Sequence, residues 1–190
     1  MSTKGLRRHL PEIMRYRQEG AEDEVIGEYG PMFRLDKLDR LTSDNFRSFL
    51  IYRNNLHWKG INRHGTRLTA NMPHLRRMLF ILLDETRPLK ERLNTLFPTT
   101  GKKPLPGLGR ATATPIMLVA YPDRYGVWNN TSEAGLQAIG MYPQWASSTT
   151  FADQYIAVNK VLTEISEELD ISLWELDYLW WFVADRGSIG

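Results

Sequence analysis

The chain contains no cysteine. That excludes disulfides, thiolate zinc sites, cysteine nucleophiles and cysteine-held iron–sulfur clusters, and it fits a reducing, cytoplasmic setting. Long apolar runs are missing too: none approaches the roughly 20 residues a membrane-spanning helix needs. The opening stretch from Met1 to His9 is polar and basic, so a signal peptide is not expected. Histidines number four, and His57 and His64 stand seven apart with no third ligand at metal spacing, so neither a metal nor any other cofactor is expected. Alternation of apolar and polar residues, the mark of strands, is almost absent, as are repeats and low-complexity tracts. What remains, 190 residues and 22.0 kDa, is enough for one domain with a full core.

Charge is present but unevenly spread. The net charge is +2, yet residues 46–110 hold 13 lysines and arginines against 3 acidic residues, while residues 151–190 hold 2 against 8. A basic block of this density matches a polyanion, since each cation set against a phosphate releases condensed counterions. The alternative is a basic half docked on the acidic C-terminal helices of the same chain.

Start and stop signals predict an all-α fold. Residues 1–40 read as a short helix with a loosely held arm, and residues 41–190 as one helical domain. Thr42-Ser43-Asp44 starts a helix carrying Phe46, Phe49 and Leu50 on one face, and Met72-Pro73 opens another with Leu75, Met78, Leu79, Leu82 and Leu83 in a stripe. Pro88 belongs to the first turn of a helix running to about Phe97. Residues 112–120, a short helix from Thr131 that Gly140 ends, and residues 151–169 and 172–184 complete the set.

The most informative stretch is Leu105-Pro106-Gly107-Leu108-Gly109-Arg110-Ala111-Thr112-Ala113. Two glycines around an apolar residue allow a tight turn directly into a helix N-terminus, where backbone N–H groups and the helix dipole face a phosphate. An ordinary loop before a core helix is the plainer reading. The segment resembles the hairpin of the helix-hairpin-helix DNA glycosylases, L-P-G-[VI]-G-x-x-T-A, with Leu108 as a conservative change. The resemblance implies that Gly107, Gly109, Arg110, Lys102 and Lys103 hold the DNA backbone. It also places the family's catalytic aspartate at Asn129, in the loop Tyr125-Gly126-Val127-Trp128-Asn129-Asn130. Two departures matter. Lyase-type members have a lysine where this chain has Ala111, which implies a monofunctional enzyme that leaves an abasic site. Asparagine in place of aspartate cannot act as a general base, so Asn129 is expected to orient the water, with Asp177 or Asp123 as substitute carboxylates. The stretch Pro98 to Pro104 cannot be a regular helix, so the first half of the motif is degraded.

Residues 49–58, 125–129 and 173–181 also resemble a small bacterial module of anti-phage and modification-dependent restriction systems. This second likeness implies excision of a hypermodified cytosine, such as glucosylated 5-hydroxymethylcytosine, from double-stranded DNA. In the run His57-Trp58-Lys59-Gly60-Ile61-Asn62-Arg63-His64, Trp58 is a candidate for stacking on a base beside His57, with Lys59 and Arg63 on phosphate. A core role for Trp58 is the alternative. Tyr125 and Trp128 are expected to wall a pocket for an extruded base, whereas Trp174, Trp180 and Trp181 read as core. Asp177 lies among those tryptophans, where a carboxylate is paired or functional. Asp123 has a solvated turn as its plainer reading. Two rivals stand beside the enzyme: a module that reads modified DNA for a partner nuclease without cutting the glycosidic bond, and a protein-interaction domain whose basic half meets an acidic partner.

Overall fold

The computed structural model describes residues 3–14, 21–51, 58 and 60–186, and among them all regular structure is helical. The helices are α1 (Thr3–Met14), α2 (Ala21–Tyr29), α3 (Ser43–Ile51), α4 (Gly65–Thr69), α5 (Met72–Leu83), α6 (Leu89–Leu96), α7 (Arg110–Ala120), α8 (Asn130–Ala138), α9 (Phe151–Leu169) and α10 (Leu173–Arg186). Tighter 3-10 turns cover Gly30–Phe33, Leu35–Arg40 and Ile61–His64.

Capping chemistry fixes most of the helix starts. Thr42 accepts from the Asn45 N–H ahead of α3, Asn71 from His74 N–H ahead of α5, and Thr150 from Asp153 N–H ahead of α9. At α8 the cap is reciprocal: the Asn129 carbonyl accepts from the backbone of Thr131 and Ser132, and Ser132 Oγ accepts from Asn129 N–H. Gly140, at φ 73°, turns the chain left-handed beyond the C-terminus of α8.

α7 occupies the centre. Every residue from Thr112 to Val119 is buried, which is why the helix carries small and apolar residues on all faces instead of in a stripe. The chain contacts around it are made by α2, α5 and the turn Gly30–Phe33. α5 contributes Leu75, Leu79, Leu82 and Leu83, and α9 contributes Tyr155, Val158, Leu162 and Ile165. Burying an aliphatic side chain of this size is worth roughly 1.5–3 kcal/mol. α8 packs along α10 so closely that Gly135 lies against the Trp180 ring.

The segment before residue 41 departs from the expected loose arm. Val25, Tyr29, Phe33 and Leu38 are buried in the same core, and Tyr29 and Phe33 meet Phe49 edge-on. Their apolar surface has no other place to hide, so residues 21–40 are built into the helical body. The stretch between α6 and α7 is irregular, as its prolines and glycines require.

Candidate functional site

The N-termini of α7 and α8 and the turn Ile61–His64 meet at one cleft of about 270 Å³. Gly60, Arg63 and His64 form one side, Ala111 and Thr112 of α7 a second, and Asn129, Asn130 and Thr131 a third, with Trp58 and Trp181 as aromatic walls. The volume is close to the lower end of the roughly 300–1,000 Å³ typical of ligand sites.

The glycine-rich turn lies beside this cleft, docked on the neighbouring segment without lining the cleft itself. Gly107 adopts φ 101°, a left-handed value that glycine alone takes without strain, and a Cβ there would stand 3.3 Å from His64 Cβ. His74 Nε2 contacts the Pro104 carbonyl at 2.7 Å and anchors the start of the turn. Gly109 is the N-cap residue of α7 and has extended backbone, so the first-turn N–H groups of that helix open toward the loop side. Arg63, Arg67, Lys102 and Lys103 are exposed around this junction, and none has an acidic partner among the described residues. Lys103 lies over the Phe97 ring at 5.7 Å. Within the basic block, Lys90 on Asp153 is the one ion pair to the acidic C-terminal helices among the described residues. The basic block thus does pack on the C-terminal helices, through α6 on α9, but mostly through apolar contacts.

Asn129 is at the cleft, but its chemistry is narrower than the sequence implied. Its carbonyl oxygen receives the Thr131 and Ser132 N–H groups at 2.8 and 3.0 Å, so both lone pairs are spent on the cap. Asn129 cannot accept a proton-bearing water through that atom, and it presents only its Nδ2 hydrogens. Neither Asp nor Glu lines the cleft. Asp177 sits behind it: Trp58 Nε1 donates to Asp177 Oδ2 at 3.0 Å, and burial pushes this carboxyl up to about 8. Trp58 itself is packed between Phe49 and Trp174, so it is both a core residue and a wall of the cleft. Asp123 is exposed in the turn after α7 and does not line the cleft.

Three expected site residues lie elsewhere. Tyr125 is buried, with its hydroxyl 2.8 Å from Arg92 Nη2 and 2.5 Å from Glu85 Oε1, and burial followed by the Glu85 carboxylate raises its pKa. Trp128 is buried against Trp145, Phe151 and Tyr155. Arg110 folds back over the Trp128 ring at 4.7 Å, bonds Asn130 Oδ1 and pairs with Glu133 at 2.5 Å. Its guanidinium thus braces the two helix ends instead of reaching outward. His57 and Lys59 lie outside the described residues.

Two features went unread in the sequence. The pair Asn129 and Ser132 has capping-box spacing, a local signal for the start of α8. The buried Arg92, only 2% exposed, bonds the Leu82 carbonyl at 2.7 Å and Glu85 at 2.7 Å, and Arg124 also pairs with Glu85. Nothing local in the sequence distinguishes Arg92 from its exposed neighbours. Among the described residues no group of acidic or histidine side chains is arranged to hold a metal ion, and no helix is long and apolar enough to cross a membrane. No family model, curated protein or solved structure matches the chain.

Proposed function

We propose that this protein binds double-stranded DNA through the Leu105–Gly109 turn and its basic surroundings, takes an extruded base into the cleft between Trp58 and Asn129, and hydrolyses the N-glycosidic bond. The observation that carries the reading is the meeting of three separate segments at that one cleft, the first turn of α7, the cap of α8, and the Gly60–His64 turn with Trp58, with the glycine-rich turn packed on His64 and Leu68 beside it. A phosphate-binding turn beside an aromatic-walled, donor-lined recess is what a base-flipping protein requires. In the reaction, water adds to the sugar C1′ as the C1′–N bond breaks with its electron pair going to the base. The proton that water gives up passes to solvent, and the departing base is protonated from solvent. The resemblance supplies the substrate class, a hypermodified cytosine of the glucosylated 5-hydroxymethyl type, and anti-phage defence as its use.

The lack of any carboxylate on the cleft lining favours a second reading, a module that holds the modified base without cutting and serves a nuclease. An alkali-cleavage assay on matched duplexes separates the two. Breaks that need alkali and occur only in the modified duplex are the expected result for a monofunctional glycosylase. Retained binding with no alkali-labile site gives the function to the reader, and breaks without alkali overturn the monofunctional assignment.

A further inference from the structure

We infer that the wall of the cleft formed by Asn129, Asn130 and Arg63 selects a group offering hydrogen-bond acceptors, a phosphate or the carbonyl edge of a base. This deepens the proposed function and rests on it only for DNA as the source of that group. The argument starts from the two carboxamides. Asn129 cannot rotate its amide without turning two N–H donors of the cap onto an NH2 group, so its Nδ2 hydrogens are held facing away from α8. Asn130 is fixed in the same sense, because its Oδ1 accepts from Arg110 Nη2 at 2.9 Å and Arg110 is clamped by Glu133. Arg63 adds a guanidinium, which has donors and no acceptor. Among the described residues, no hydrogen bond is made by either Nδ2 group and no ion pair by Arg63.

No negative charge offsets these donors on the cleft wall. Glu133, linked to Asn130 through Arg110, is already paired with that guanidinium, and Asp177 meets the cleft wall only through Trp58 Nε1. A ligand edge carrying N–H groups would set donor against donor along this wall, whereas carbonyl or phosphate oxygens suit each of the three. For the proposed hydrolysis, donors aimed at a base carbonyl stabilise the negative charge that the base acquires as the C1′–N bond breaks. Asn129 therefore acts on the leaving group, not on the water.

The test follows the side-chain NH2 signals of Asn129 and Asn130 by NMR in the full, 15N-labelled chain, titrated separately with inorganic phosphate, deoxyuridine and methylammonium. Saturable shifts with phosphate, with deoxyuridine or with both support the inference, and the responding probe identifies whether backbone or base supplies the acceptor. Saturable shifts with methylammonium, or none with either acceptor, overturn it. Asn129→Asp keeps the cap and so the fold, but exchanges the donor for an anionic oxygen, and binding of the responding acceptor is expected to weaken about tenfold or more. Unchanged affinity in that variant also overturns the inference. Phosphate binding at the cleft in a chain that binds no duplex DNA removes the proposed function and leaves the cleft chemistry standing.

Discussion

Replacing Asp177 by asparagine removes an acid that the folded chain keeps protonated. Burial raises this carboxyl to about 8, against 3.8 for an ordinary aspartate. Below pH 3.8 the group is protonated in both folded and unfolded chains, and the full stability of the fold is present. As pH rises toward 8 the unfolded chain releases the proton while the folded chain retains it, and the fold loses ~1.4 kcal/mol per pH unit. Above about 8 the loss is complete and the slope vanishes. Between pH 5 and pH 7 the wild-type chain thus gives up about 3 kcal/mol through this one group. Asp177→Asn has no proton to lose, and its side-chain carbonyl still accepts from Trp58 Nε1. Urea unfolding of both proteins, followed by tryptophan fluorescence at pH 5, 6 and 7, measures the difference directly. Asp84 and Asp153, which their hydrogen-bond partners hold below the usual carboxylate range, lose stability as pH falls, but both proteins share that contribution. The stability difference should move in favour of the variant by about 2–3 kcal/mol from pH 5 to pH 7. A difference that stays constant over that interval would refute the reasoning, because it would mean that Asp177 is ionised in the fold.

Two further changes probe the packing. At Gly135 an added Cβ would stand 2.3 Å from the Trp180 ring, so Gly135→Ala is expected to force α8 away from α10 and cost ~1–3 kcal/mol, read as a lower melting temperature; an unchanged melt would contradict the close helix contact. Arg92→Met strips Glu85 and the Tyr125 hydroxyl of a buried partner and is expected to cost ~3 kcal/mol, with Glu85→Leu added on top recovering part of the loss. A double variant less stable than either single change would show that the two side chains do not act as a pair.

Helix positions were legible because their signals are local. Thr42, Asn71 and Thr150 mark helix starts that any reader of caps finds, and the stripe of α5 follows from its 3.6-residue spacing. The centrality of α7 was not legible: small and apolar residues on all faces show that a helix is buried, not which elements surround it. Residues 21–40 are polar in composition, and of their buried apolar residues Ala21, Val25, Tyr29 and Phe33 recur every four while Leu38 breaks the spacing, so the signal spans a short helix and two 3-10 turns with no clear helical stripe. At the site, Asn129, Trp58 and Arg63 were found from the sequence and do meet. Tyr125 and Trp128 were misplaced because nearness in sequence to Asn129 says nothing about which side of the backbone a ring takes, and Arg92 and Phe151 capture them on the core side.

Duplex DNA affinity measured over a range of salt concentrations bears most directly on nucleic-acid binding. Binding should weaken linearly in logarithmic terms, with a slope of about −0.9 for each phosphate neutralised. Removing the exposed cations beside the turn, Lys102→Ala with Lys103→Ala, should reduce the magnitude of that slope by about 2 while the helical fold stays intact. No detectable binding at low salt, or a slope that the double variant leaves unchanged, would contradict DNA binding through the Leu105–Gly109 turn.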